Sequence, residues 1–393
     1  MSLFREIGAV TAMNLRSVPS RWGTSSVIVL GMALVVGVLV SVLGMTRSLT
    51  STIADTGRPD RAIVLRAGAN NETSSSVPMD AVATIKNAPG VARTPDGEAA
   101  ATAEMLTAVN LTRKEDGTMA GITVRGMEPA ATTVRPEIKL VEGRMFKPGL
   151  REVIVGRGAR TEFRGLEIGD RVALRNSQWT VVGVFASDGN ANESRLVADE
   201  ATLLSAYQRT AASSVTVLLR STAAFDEFKA ALTTNPTLSV SVERENDYYA
   251  RQSDNANAFF GTVTMIVGLF MAVGALFAAL NTMYTAVSTR SVEIATLRAI
   301  GFGSSGVVVS VLVESLALAL LGAVIGAAGA AAVFGGNMVS LGNGVSSLVF
   351  EMRVTPALLA AGVAWACAVG FLGGLFPAIK AARQPVVKAL SAV

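Results

Sequence analysis

Between Asn255 and Thr289 the sequence contains no Asp, Glu, Lys or Arg. Three more stretches share that character: Trp22–Thr46, Thr355–Phe376, and Gly301–Phe350, which is broken only by Glu314. An α-helix rises about 1.5 Å per residue, so about 20 apolar residues cross the ~30 Å hydrocarbon core of a bilayer. Each stretch reaches that length. With 50% hydrophobic and 16% charged residues, the chain departs from ordinary globular composition. The expectation is a membrane α-helical protein with four transmembrane helices at 23–46, 256–288, 304–334 and 355–377, the last ended by Pro377. The first run is longer than the roughly 7–15 residues of a signal-peptide core and lacks a small-x-small site after it, so it reads as a retained anchor.

Other chemistry is narrow. There is no His, which removes imidazole catalysis and ligation. The single Cys, Cys367, sits in an apolar run and reads as a packing residue, with no intramolecular disulfide available. The net charge of +4 is small and no basic patch is concentrated enough for nucleic acid. No Gly-Lys dipeptide occurs, so there is no Walker A loop.

Residues 47–255 differ from the rest. Charges return, and Gly, Pro, Asn and Asp punctuate short β-like runs. Arg61–Arg66, Met105–Leu111, Gly121–Gly126, Glu152–Gly156, Arg171–Leu174, Trp179–Phe185, Val215–Arg220 and Val240–Glu243 read as strands. Pro78–Ala88 and Ala223–Thr233 read as helices. This order suggests a large extracytoplasmic α+β domain between helices 1 and 2, split by a β-rich insert at about 135–210. Asp188–Glu193 reads as a polar loop, and Tyr248 and Tyr249 suit an interface. The apolar run after them is longer than one bilayer, so helix 2 is expected to extend into a stalk. Residues 1–22 fit either an amphipathic interfacial helix or an irregular basic leader. Residues 335–354 read as a loop and 378–393 as a tail.

Lys and Arg fix an expected orientation. The leader, the segment 289–302 and the tail together carry eight, against one in Gly335–Arg353. The positive-inside rule then puts both termini and 289–302 in the cytoplasm, with 47–255 outside. The segment 289–302 reads as a short cytoplasmic helix. Ser288 or Thr289 can cap it, Glu293 suits the positive end of its dipole, Arg298 the negative end, and Gly301 the left-handed stop. A solvated charged linker has a similar pattern. Glu314 lies inside the third apolar run, where a carboxylate costs on the order of 2.5–3.5 kcal/mol, so it is expected to be protonated, paired or turned inward. Its readings are a proton or substrate site, or a polar lock between helices or towards the 289–302 helix.

Arg290, Glu293, Ile294, Ala295, Leu297, Arg298, Ala299, Ile300, Gly301 and Phe302 form R-x-x-E-I-A-x-L-R-A-I-G-F. This pattern resembles the signature of FtsX/MacB-like permeases of type VII ABC transporters. Phe376–Leu390 (FPAIKAARQPVVKAL) resembles the ending of the same family, although Gln384 stands where many members have an acid. Asn14–Arg21, Glu142–Phe146, Glu152–Gly156 and the Gly169–Phe185 stretch resemble its other parts, in the same order. The resemblance implies a non-catalytic permease subunit of the bacterial inner membrane, paired with a second copy or a paralogue amid membrane lipids. A separate cytoplasmic ATPase would carry ATP and Mg, leaving this chain without a cofactor. Arg290, Glu293, Ile294, Leu297, Arg298 and Gly301 would form the ATPase-coupling helix. The implied work is mechanical: export or efflux with a periplasmic adaptor and outer-membrane channel, or extraction of lipoproteins or lipids. The β-rich insert favours these over control of cell-wall hydrolases. A membrane-anchored periplasmic enzyme would need a constellation in 47–255, where Asp188 and Glu193 are the available carboxylates and no spacing marks them. A sensor would need a cytoplasmic signalling domain, and the cytoplasmic segments are too short for one.

Overall fold

The computed structural model describes residues 22–300, 303–342 and 347–383, apart from the side chains of Thr24 and Leu297. The leader before Trp22, Gly301 and Phe302, and the tail after Arg383 lie outside the described residues. In chain order, α1 (Trp22–Ala54) leads to β1 (Arg61–Arg66), β2 (Val77–Pro78) and α2 (Met79–Lys86). Then come β3 (Ala101–Thr112), β4 (Met119–Met127), α3 (Ala131–Val134), β5 (Lys139–Gly143), β6 (Glu152–Gly156) and α4 (Arg157–Glu162). They are followed by β7 (Arg171–Leu174), β8 (Ser177–Ala186), β9 (Arg195–Asp199), α5 (Glu200–Tyr207), β10 (Ala211–Ala212) and β11 (Ser214–Leu218). The remainder is α6 (Phe225–Thr233), β12 (Val240–Arg244), α7 (Glu245–Thr289), α8 (Ser291–Ala299), α9 (Ser304–Phe334), β13 (Met338–Gly342), β14 (Ser347–Glu351) and α10 (Pro356–Arg383). Four of these helices, α1, α7, α9 and α10, are long and apolar enough to cross a membrane.

The chain divides into two units. One comprises Ser48–Asn257 and Met338–Glu351 and is built on a ten-stranded sheet of order β12-β1-β11-β3-β4-β9-β6-β8-β5, with β7 on β8. Most pairings are antiparallel; β4 with β9 and β6 with β8 are parallel. The expected strands Met105–Leu111 and Gly121–Gly126 pair within the β3–β4 hairpin, with Met105 opposite Gly126 and Leu111 opposite Ala120. Alternation of apolar residues puts several apolar clusters on this sheet, two of them large. Val82, Ile85, Phe225, Phe228 and Leu232 from α2 and α6 make one. Trp179, Phe163, Leu196 and Leu203 anchor the other. The expected insert at 135–210 shares its core with Met105, Ile122 and Val124 of β3 and β4, and its strands continue the common sheet through β4–β9 instead of closing a separate one. The parallel β4–β9 pairing joins strands far apart in sequence, which strand patterns alone do not reveal. A second difference lies at 335–354, expected as a loop: β13 and β14 pair as a hairpin. The hairpin is held by Ser194, whose hydroxyl donates to Val349 O at 2.9 Å and accepts from Val349 N–H at 2.8 Å.

The other unit, Met1–Arg47, Ala258–Asn337 and Met352–Val393, is helical in its described residues apart from short connections. α1 and α9 approach closely because α9 carries glycine at the crossing: a Cβ on Gly322 would fall 2.6 Å from Val29 O, and one on Gly326 would collide with Ala33 O. Small residues permit such backbone contact in membrane helices. α9 and α10 are tied by Ser315, whose hydroxyl donates to Gly370 O at 2.7 Å. α10 does not end at Pro377, as the sequence suggested, but continues to Arg383 with Pro377 inside it. Proline lacks only one donor and clashes with one earlier carbonyl, and membrane helices accommodate that where neighbours pack around it. Pro377 is buried there. α1 likewise runs beyond the expected Thr46 to Ala54, and α7 starts at Glu245.

Candidate functional site

The residues expected to couple the chain to an ATPase fall on α8 and its entry. Ser288 and Thr289 do not cap it. Thr289 still belongs to α7, and both hydroxyls donate backwards, Ser288 to Thr285 O at 2.9 Å and Thr289 to Ala286 O at 3.0 Å. Such back-bonding satisfies a hydroxyl at a helix end and takes it out of capping. Arg290 instead occupies the N-cap position of α8, without a side-chain cap bond. Its side chain turns into the helical unit, where Nη1 donates to Glu314 Oε2 at 2.8 Å, both side chains being 6% exposed. Glu314 is thus paired, and its partner is the first residue of the expected site.

From there α8 presents two faces. Ile294 and Ala295 are buried, Ile294 among Ile28, Met283, Val287 and Val311. Val292, Glu293, Thr296 and Ile300 are exposed, Ile300 at 68%. Their spacing places them on one side of a 3.6-residue helix. Glu293 lies in the first turn and Arg298 in the last, both favourable to the helix dipole. Leu297 lies within α8, its side chain outside the described residues, as is all of Gly301. Among the expected residues, then, Arg290 and Ile294 face inward and Glu293 outward. The charged termini and exposed apolar side chains leave α8 with a surface suited to docking, held rigid from behind by an ion pair and a packed isoleucine.

The loop considered as an enzyme site has another role. Glu193 is buried and accepts N–H bonds from Ser187 at 2.7 Å and Gly189 at 2.9 Å, closing the loop over Asp188, whose φ is +52°. Asp188 faces Lys139 at 3.4 Å on the surface. No nucleophile stands with either carboxylate among the contacts described, so Glu193 is a loop staple. Among the described residues no group of acids or Cys has metal-holding geometry.

A larger assembly of charge, not expected from the sequence, lies inside the α+β unit. Arg61 pairs with Glu245 at 2.5 Å and Glu137 at 2.8 Å. Arg135 bridges Glu104 at 2.8 Å and Glu245 at 2.9 Å. Arg125 binds Glu104 and, at 3.0 Å, Glu72. Tyr248 accepts the Glu72 N–H at 3.1 Å through its hydroxyl. Burial opposes ionisation of Glu72, but Arg125, Arg195 and Arg135 outweigh it and hold its carboxyl below the usual range. Through Glu245 the network grips the first residue of α7, and through Arg61 the strand that follows α1. One signal was available: Glu104 and Arg125 interrupt strand runs at apolar positions, and interior charges require partners. Which partners they take depends on the sheet order.

Four helices able to cross a membrane, with a large α+β domain between the first and second, define a multi-pass membrane protein. The MacB-like periplasmic core domain matches residues 23–235, over half the chain, and the FtsX-like permease C-terminal matches residues 265–386. The chain belongs to the FtsX/MacB-like family of ABC transporter permeases. Among solved structures it is similar to the periplasmic region of MacB from Actinobacillus actinomycetemcomitans, at 13% identity and TM-score 0.37, covering 50% of this chain and 93% of that one. It is also similar to the extracellular domain of the ABC-type transporter YknZ from Gram-positive bacteria, at 17% identity and TM-score 0.35, covering 47% and 99%. A comparison with curated proteins returns no match.

Proposed function

We propose that this chain is the permease subunit of a complex in which α8 docks on a separate cytoplasmic ATPase. In this reading both termini are cytoplasmic, a second permease copy or paralogue completes the assembly, and the α+β unit works on the opposite side of the membrane. ATP-driven closure pushes on the outward face of α8. The Arg290–Glu314 pair carries that push to α9, because a buried, hydrogen-bonded ion pair resists separation. The work is mechanical, of the MacB-like export kind, with an adaptor on the far side. The observation that carries the reading is the two-faced α8: Val292, Glu293, Thr296 and Ile300 outward, Arg290 and Ile294 anchored inward.

Copurification of the tagged full chain from its native membrane tests it. An ATPase chain is expected in the complex, with binding and permease-dependent ATP hydrolysis reduced about tenfold or more by Glu293→Lys, since charge reversal in a docking face costs a few kcal/mol. Undiminished ATPase assembly after deletion of 290–300 would overturn the docking role of α8. Cross-linking from the α+β unit of the same preparation asks whether an adaptor is present.

A further inference from the structure

The α+β unit holds a two-part cavity where the end of β4, α3, the segment after β5 and the start of α5 meet. One part, about 200 Å³, is apolar and lined by Met127, Ala131, Ile138, Met145 and Phe146. The other, about 660 Å³, is more polar and lined by Arg151, Asp199, Glu200 and Thr202. Glu128, Pro129 and Pro148 line both, so the parts share a wall.

Three carboxylates border this space, and two are already satisfied. Glu128 accepts Lys86 Nζ at 2.6 and 2.7 Å and the Ala103 N–H at 2.7 Å. Asp199 caps α5, accepting the Thr202 N–H at 3.1 Å and hydroxyl at 2.5 Å, and also the Gly149 N–H at 3.2 Å. Glu200 differs. It is 3% exposed, and its Oε1 receives no hydrogen bond. A buried carboxylate oxygen lacking a donor is unfavourable unless a ligand supplies one. Burial first, then Glu128 and Asp199 against the pull of Lys86, push this carboxyl up to about 7. Those three groups and the exposed Arg151 are the charges facing it. An anion would meet three acids, while the cations nearby are the solvated Arg151, Lys86 already held by Glu128, and Arg135, which lines the apolar part but is held by Glu104 and Glu245. A cation with N–H donors would meet the reverse. The apolar part beside Glu200's cavity offers methionines, which adapt to varied shapes, and the Phe146 ring.

We propose that this cavity binds small organic ammonium ions, the ammonium seated on Glu200 and the hydrocarbon portion against Met127, Met145 and Phe146. A rotation of the Glu200 side chain towards the cavity it lines lets the ammonium supply the donor that the buried Oε1 lacks, and charge-assisted bonds of this kind are the stronger ones. A neutral alcohol of the same length fills the apolar part without serving the charge. The site stands in the α+β unit and its occupation needs no ATPase, so its failure would leave the docking of α8 untouched, and the reverse holds.

The test is calorimetric titration of the full chain in lipid nanodiscs with hexylammonium, hexanol and hexanoate, against empty nanodiscs. Saturable hexylammonium binding is expected, with hexanol and hexanoate about tenfold or more weaker. Glu200→Gln should reduce hexylammonium affinity to that of hexanol, whereas Phe146→Ala should weaken both probes. In the unaltered chain hexylammonium affinity should rise between pH 6 and pH 8 as Glu200 ionises, and Glu200→Gln should remove the rise. Near-UV circular dichroism confirms that each variant is folded. Hexanol binding as tightly as hexylammonium, or folded Glu200→Gln retaining full hexylammonium affinity, would overturn the proposal.

Discussion

Glu200 shows how one side chain can be poorly placed for stability and well placed for binding. Its folded pKa, about 7, lies above the ordinary 4.5 of an unfolded glutamate. The folded state therefore holds the proton more tightly. The stability this contributes is complete below about 4.5 and is lost as pH rises through about 7. Glu200→Gln keeps the shape and cannot ionise. It is expected to leave thermal stability unchanged at pH 4 and to raise it by about 1–2 kcal/mol at pH 8, allowing for solvent screening. Equal melting shifts at both pH values would exclude this account. The Arg290–Glu314 pair makes the opposite case, because both partners are buried and bonded. Arg290→Met strands the Glu314 carboxylate at a cost of about 3–5 kcal/mol, and adding Glu314→Leu should recover much of it. Denaturation of the two variants, side by side, reads that recovery. If the double variant is no more stable than the single, the pair is not the main tie between α8 and α9.

At the scale of elements, glycine position decides what α9 tolerates. Gly326 faces the α1 backbone at Ala33, whereas a Cβ on Gly329 meets nothing within 4 Å. Gly326→Leu should force the two helices apart and destabilise by about 2 kcal/mol or more, while Gly329→Leu should be near neutral. Thermal unfolding in nanodiscs separates the two, and equal losses would argue against a close α1–α9 crossing. That crossing was not legible in the sequence, where every glycine of the run looks alike. The helices themselves were legible, because absence of charge over a bilayer's length is a compositional signal that survives any packing. Two short β-like runs close in sequence did the same for the β3–β4 hairpin. Caps were not legible: Ser288 and Thr289 have capping chemistry, but α7 continues through them and uses their hydroxyls against its own carbonyls. The candidate site was half legible. The charges at Arg290, Glu293 and Glu314 stood out of apolar surroundings, but that Arg290 and Glu314 meet requires the fold of α8 back onto α9.

At the scale of the molecule, charge is buried unequally. Among the described residues the helical unit buries Arg290 and Glu314, whereas the α+β unit encloses three arginines and four glutamates in one connected network. That unit should be the acid-sensitive one. Glu72 titrates below its ordinary 4.5 when folded. Its stabilising contribution is therefore present above about 4.5 and is lost as pH falls through the lower folded value. Protonation would strip Arg125 of a partner in a place where water cannot replace it. Trp179, fully buried in the second core of the same sheet, reports the outcome once Trp22→Phe and Trp365→Phe silence the other tryptophans. On lowering pH from 6 to 3, Trp179 emission should shift to the red while far-ultraviolet helical signal persists, since the spanning helices keep their hydrogen bonds within lipid. Glu72→Gln should start about 3 kcal/mol less stable at pH 7 and show a shallower dependence below pH 5, because the titrating group has been removed. Were Trp179 emission to hold to pH 2, or the Glu72→Gln slope to match that of the parent, the network would be a packing feature without leverage over the fold. If the expected slopes are found, the ionised Glu72–Arg125 pair contributes to the stability of the α+β unit, and that contribution is lost in acid.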